Sequence, residues 1–164
     1  MVIFFKFLID AMLGRLARFL RIFGYDTVYA NDLEKELNID SIPDDNLIEY
    51  AKETNRILIT KDLLLYKRFK DQCFFLEGED VYGYLSQLRA KLDLIFKINI
   101  GKAHCSICNS KLEEIKNKNL IKDKLENDTF KYYNEFYQCL NSNCKKIFWN
   151  GSHIKDIEKK LENI

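Results

Sequence analysis

An excess of charge of one sign is the first thing this 164-residue chain lacks: 26 lysines and arginines face 25 aspartates and glutamates, a net +1. Such a balance gives no global basic field for nucleic acid, so any hold on phosphate groups must come from local clusters. Proline is almost missing, occurring only as Pro43, and nothing functional follows from that. No internal repeat or low-complexity tract is present. A long hydrophobic run is missing too: the apolar residues 2–9 are too few to cross a bilayer and no small-residue cleavage site follows them. They are read as a buried strand, with no membrane partner expected. Apolar material itself is not short. Hydrophobic residues are 47% and charged ones 31%, which excludes a disordered chain and supports a packed core. The length suits one small α/β domain joined to a smaller unit with its own staple.

The strand at residues 2–9 ends at Asp10, as in a parallel sheet covered on both faces. From Ala11 to Phe23 the residues Leu13, Leu16, Ala17, Leu20 and Phe23 recur at helical spacing, and Gly24 ends the helix. Strands are expected at 27–30, 56–60 and 73–76, with helices at 32–37, 46–54, 63–69 and 81–92. Around residues 95–102 the alternation stops and the composition turns polar, which predicts a domain over 1–98 and a second unit over 99–164. In the second unit an aromatic strand is expected at 130–137, and a charged amphipathic helix after His153 with Ser152 as its N-cap.

Parallel sheets bind ligands beyond the carboxyl ends of their strands. Asp10 and Asp62 each follow an apolar strand and open a helix, so both carboxylates are expected on one edge. Asp45, in the first turn of an intervening helix, is expected to converge on them, with Asp44 as its nearest rival. Glu77, Glu79 and Asp80 are the choices for a fourth acid. Three such acids repel one another unless a cation sits between them, and Mg²⁺ or Mn²⁺ suits an all-oxygen set. Such an ion orients water for phosphodiester hydrolysis. Any one of these aspartates alone is read first as a helix N-cap, a role compatible with the other.

Cys105, Cys108, Cys139 and Cys144 form two short-spaced pairs, the arrangement that delivers four thiolates to a closed structural Zn²⁺ site. With no export signal, zinc in a reducing cytoplasm explains them better than disulfides. Cys73, inside an apolar strand, is read as core. His104 and His153 remain candidates for the surroundings of the zinc or for an RNA contact.

These residues resemble the Mut-seven C-terminal RNase domain family, a PIN-like nuclease fold with an appended zinc ribbon. The likeness rests on residues 7–27, Asp45 ahead of Leu47, residues 56–62 with Leu65 after them, Cys105-x-x-Cys108-Asn109, and residues 148–153. It implies a three-layer α/β/α sandwich with a mostly parallel sheet plus a small C-terminal zinc ribbon. It also implies RNA cleavage at Asp10, Asp45 and Asp62. Two departures stand out: His104 replaces a usual arginine, and four residues separate Cys139 from Cys144 where two are usual.

Arg15, Arg18 and Arg21 share one flank of the helix that begins beside Asp10 and suit the phosphates of RNA. Gly14, one turn into that helix, costs about 1 kcal/mol relative to Ala and so is expected to admit a close neighbour. The functional expectation is a metal-dependent ribonuclease. Its rival is a non-catalytic RNA-binding zinc-ribbon protein or a subunit of an RNA-processing complex.

Overall fold

Four short strands form one parallel sheet: β1 (Lys6–Ile9), β2 (Asp26–Tyr29), β3 (Ile57–Thr60) and β4 (Cys73–Phe75), in the order β2-β1-β3-β4. The computed structural model describes residues 5–164, so residues 2–4 of the expected first strand lie outside the described residues. Successive side chains point to opposite faces of a strand. Phe7, Ile9 and Ile59 therefore serve one hydrophobic cluster while Leu8 and Leu58 serve another. Both faces are covered, which is why these segments are apolar at nearly every position.

Helices α1 (Gly14–Ile22), α5 (Val81–Leu92) and α7 (Ser152–Leu161) pack on the first face. On the second lie α2 (Ala30–Leu37), α3 (Asp44–Glu53) and α4 (Leu63–Arg68). The chain steps from β1 out to β2, then crosses back over β1 to β3. Crossovers of one hand that step in opposite directions leave their helices on opposite faces, which separates α1 from α2 and α3. The result is the expected three-layer sandwich.

Left-handed residues stop the helices. At the end of α1, Gly24 has φ +89°, and the N–H groups of Gly24 and Tyr25 bond the carbonyls of Arg21 and Leu20, both at 3.0 Å. After α2 and α3 the same position is taken by Asn38 (φ 53°) and Asn55 (φ 51°). In a chain with six glycines, asparagine, the side chain best tolerated there, does their work.

The remainder is a three-stranded antiparallel sheet, β5 (Leu112–Glu114), β6 (Tyr137–Cys139) and β7 (Ile147–Phe148), in the order β5-β6-β7. Its core is small: Ile121, Phe136 and Ile147, backed by Tyr133 and Trp149. The aromatic strand expected at 130–137 is overturned. Its first residues, 130–132, end helix α6 (Asn127–Tyr132), residues 133–136 are irregular, and only Tyr137 enters a strand. Lys118 Nζ bonds the carbonyls of Phe130 and Tyr133 at 2.9 and 3.1 Å, satisfying the acceptors at the helix end. Ser152 is likewise not an N-cap; Gly151 holds that position and Ser152 is the first helical residue, without a capping bond. Beyond β7 the chain returns to the first sheet, where Ile157 and Leu161 of α7 enter the main core. No helix among the described residues is long and apolar enough to cross a membrane.

Candidate active site and cysteine centre

Between β1 and β3 the sheet order reverses direction, and the crevice outside such a switch point is where parallel sheets take ligands. Asp10 and Asp62 sit there, one at the end of each strand. The Asp10 N–H bonds the Ile59 carbonyl at 3.0 Å, so β1 stays tied to β3 as far as the acid itself. Thr60, fully buried, joins the two: its hydroxyl donates to Asp10 Oδ2 at 2.5 Å and accepts the Asp62 N–H at 2.9 Å. Asp62 Oδ1 accepts from the N–H groups of Leu64 and Leu65, so Asp62 is the N-cap of α4. Its capping and its place at the crevice coexist because one oxygen caps while Oδ2 takes no protein hydrogen bond among the described residues.

Asp45 is not gathered in. Its side chain is 83% exposed on the first turn of α3 and pairs closely with Arg68, which also reaches Asp44 at 3.3 Å. Among the described residues, the four cysteines are the only group of three or more Cys, His, Asp or Glu with ligand atoms in mutual reach. Of the other acids, Glu79 pairs with Lys61 at 2.8 Å, Asp80 caps α5 through the Gly83 N–H at 3.1 Å, and Glu77 is exposed.

On α1 the three arginines divide. Arg15 and Arg18 are exposed as expected. Arg21 is the correction: it is 2% exposed, and its guanidinium is consumed by Thr27 O, Ser106 O, Ile107 O and Asp32 Oδ2 at 2.8 to 3.2 Å. Four of its five N–H donors are engaged in this way, and burial withdraws it from the exposed flank that carries Arg15 and Arg18. The close neighbour that Gly14 admits is the Tyr29 ring, whose hydroxyl bonds the Ala11 carbonyl at 2.7 Å and lies 2.7 Å from where a Cβ on Gly14 would stand. Gly14→Ala is accordingly expected to push Tyr29 away and break that bond, cancelling the gain in helix propensity and lowering stability by about 1 kcal/mol. Urea denaturation measures it, and a more stable variant would contradict the packing.

The four cysteine sulfurs lie within 4.8 Å of one another, with Cys105 and Cys144 at 3.7 Å and Cys108 and Cys139 at 3.4 Å. Thiolates about 2.3 Å from a tetrahedral zinc stand roughly 3.8 Å apart, so the quartet fits that ion and could hold it. Each pair is followed by a left-handed residue, Asn109 (φ 64°) and Lys145 (φ 48°), which bends the chain around the sulfurs despite the longer second spacing. His104 is buried beside them; its Nδ1 meets the Asn109 carbonyl at 2.6 Å and its Nε2 the Lys111 ammonium at 2.9 Å. Those partners select the neutral ring with the proton on Nδ1, and burial, aided by Lys111 and Arg21, pushes its pKa down. Cys73 lies apart in β4, where burial raises its thiol to about 12, the mark of an inert core residue. Neither curated proteins nor solved structures gave a match to the chain. The family model of the Mut7-C RNAse domain matches residues 5–161.

The chain belongs to the Mut7-C RNAse domain family.

In this Mut7-C domain the cysteine centre is bonded to the edge of the parallel sheet. β2 is an edge strand, and Thr27 is its residue whose N–H and C=O point away from β1. The Asn109 side chain accepts the Thr27 N–H at 2.9 Å, and Arg21 Nε donates to the Thr27 carbonyl at 2.8 Å. Arg21 also holds the carbonyls of Ser106 and Ile107, the two residues between the first cysteine pair. Asn109 Nδ2 reaches Asp26 Oδ1 at 2.7 Å, and Arg56 grips both Asp26 oxygens at 2.9 and 3.0 Å. The likeness includes Asn109 and Arg56 by position, yet nothing in the sequence gives them this role.

Burial pushes the Asp26 carboxyl up, but the hydrogen bonds and charge of Arg56 and Asn109 outweigh it and hold it below the ordinary carboxylate range. A depressed carboxylate adds stability above its unfolded pKa of about 3.9 and loses it as pH falls through the lower folded value. The stability difference between wild type and Asp26→Asn is therefore expected to be constant above about pH 5 and to shrink below pH 4. Denaturation of the two proteins at matched pH values measures it; a difference that grows toward acid would refute this sign.

Proposed function

We propose that this Mut7-C domain is a ribonuclease that hydrolyses RNA phosphodiester bonds at the crevice between β1 and β3. The proposal rests chiefly on one observation: Asp10 and Asp62, far apart in sequence, are both bonded to Thr60 at the switch point. Their all-oxygen donor set fits Mg²⁺ or Mn²⁺, held by Asp10 and Asp62 with Asp45 as the third acid. A bound ion supplies an activated water and charge stabilisation at the leaving oxygen. Thr60 fixes the Asp10 carboxylate, Asp62 keeps Oδ2 free of protein donors, and Arg15 and Arg18 face RNA phosphates from the adjoining helix. In this reading residues 1–98 carry the chemistry and residues 99–164 form a zinc ribbon, whose four thiolates hold a structural ion, followed by the C-terminal helix α7 that returns to the main core.

A second reading, an RNA-binding protein without turnover, draws on the engagement of Asp45 by Arg68. That pair is largely exposed and of a kind worth about 0–1 kcal/mol, so a divalent ion recruits Asp45 at little cost. Arg68→Ala is thus expected to tighten Mn²⁺ binding by up to about fivefold and to leave EDTA-sensitive RNA cleavage in place. Calorimetric titration with Mn²⁺, done on protein whose tightly held zinc is left in place, reads the first and a gel assay the second. Wild type that neither binds Mn²⁺ nor cuts RNA would favour the binding protein.

A further inference from the structure

A groove of about 1010 Å³ runs between α1, the ribbon and α7. It begins at Gly14 and Tyr29, where the Tyr29 hydroxyl bonds the carbonyl of Ala11, the residue after Asp10. From there it extends past Arg15 and Arg18 to Phe148, Trp149 and the start of α7. Pockets for one small ligand measure about 300–1,000 Å³, so this groove stands at the top of that range.

Its charge is strongly one-sided although that of the whole chain is not. Arg21 and Asp32 line the groove but neutralise each other at 2.9 Å. What remains is Arg15, Arg18, Lys35, Lys146 and Lys160, all exposed, against Asp156 alone. These cations come from α1, α2, the ribbon and α7, segments far apart in sequence that folding places around one channel. Between them lie half-buried aromatic faces, Tyr82, Phe148 and Trp149. Cations along a channel with rings on its walls are what an unpaired nucleic-acid strand needs, phosphates on the one and bases on the other. A duplex keeps its bases stacked inside and presents none to such rings.

We infer that the groove binds a single-stranded RNA segment and leads it to the Asp10 crevice, with Trp149 as a stacking platform and Lys146 and Lys160 as phosphate contacts. This rests on the ribonuclease reading, since it assigns the path of that same substrate. The ribbon and α7 then form part of the substrate site.

The test uses the full chain carrying Asp10→Asn, so that binding is read without cleavage. Trp149 is the single tryptophan, and its fluorescence reports directly on the groove. A decamer of uridine is expected to quench it and to bind at least about tenfold tighter than a ten-base-pair RNA duplex. Adding Lys146→Glu and Lys160→Glu, both at exposed positions, is expected to weaken decamer binding at least about tenfold. The salt dependence becomes shallower by roughly 0.7 per lost phosphate contact. Far-UV circular dichroism and bound zinc show whether the substituted protein remains folded; if it does not, Lys146→Gln with Lys160→Gln gives the same comparison. Equal binding of duplex, unchanged binding by the substituted chain, or equal quenching by a poly-glutamate peptide would each overturn the inference. Cleavage of RNA by wild type alongside such a result leaves the ribonuclease standing and removes only the groove. Decamer binding that depends on the lysines, with no cleavage by wild type, does the reverse.

Discussion

Asp10→Asn is expected to lower RNA cleavage at saturating Mg²⁺ or Mn²⁺ by at least about 100-fold, or about 2.7 kcal/mol of transition-state stabilisation, while the fold survives. Asparagine keeps the length and one acceptor oxygen, so the Ala11 N–H that bonds Asp10 Oδ1 at 2.6 Å still has a partner. What disappears is the negative charge that a hard cation requires. Thr60→Val gives a graded companion. It removes the hydroxyl that orients Asp10 and accepts the Asp62 N–H while leaving both carboxylates in the chain, and the loss expected of a residue that positions a metal ligand is about 10–100-fold. Gel assays with labelled RNA at several metal concentrations separate the two, because added metal partly restores Thr60→Val and does not restore Asp10→Asn. An Asp10→Asn protein that cuts at the wild-type rate would remove the crevice from the chemistry altogether.

The parallel sheet is legible in the sequence because its causes are local: short apolar runs, two of them leading into Asp10 and Asp62, then apolar residues at helical spacing. Val81 to Leu92 is read as a helix and is one, since periodicity and boundaries agree there. Asp10 and Asp62 are legible for the same reason, each being defined by the strand just before it. Arg21 is not. Helical spacing says which residues share a flank with Arg15 and Arg18, but not that Ser106 and Ile107, 85 and 86 residues later, arrive to take up its donors. Asn109 is hidden likewise, because its function is to satisfy an N–H on an edge strand that the sequence places in another part of the chain. The aromatic stretch before Tyr137 misleads because β-propensity measures fit to a half-buried pleated surface, and Phe130 to Tyr132 lie largely outside one.

Chelation of zinc, or Cys139→Ser, is expected to unfold the ribbon and also to loosen the parallel sheet at β2. The ribbon's own core is three buried side chains, too few to hold it, and structural zinc sites supply apparent free energies of about 10–16 kcal/mol at neutral pH. Once the first cysteine pair opens, Asn109 and the carbonyls of Ser106 and Ile107 leave their places, and with them the caps on Thr27 and the partners of Arg21. Hydrogen exchange reads this directly: the Thr27 amide is expected to be protected with zinc bound and to exchange at least about tenfold faster after chelation, while Leu58 and Ile59, in the central strand, change little. Arg21→Met isolates the protein half of the clamp. Removing a buried cation that serves three carbonyls and Asp32 is expected to cost about 3 kcal/mol, which in a chain of this size lowers Tm by roughly 6–12 °C with zinc still bound. Asp32 is one-third exposed and can be hydrated, so most of that cost falls on the carbonyls. Should the Thr27 amide stay protected in zinc-free protein, the ribbon and the sheet would be energetically separate, and Arg21 would be stabilising β2 alone.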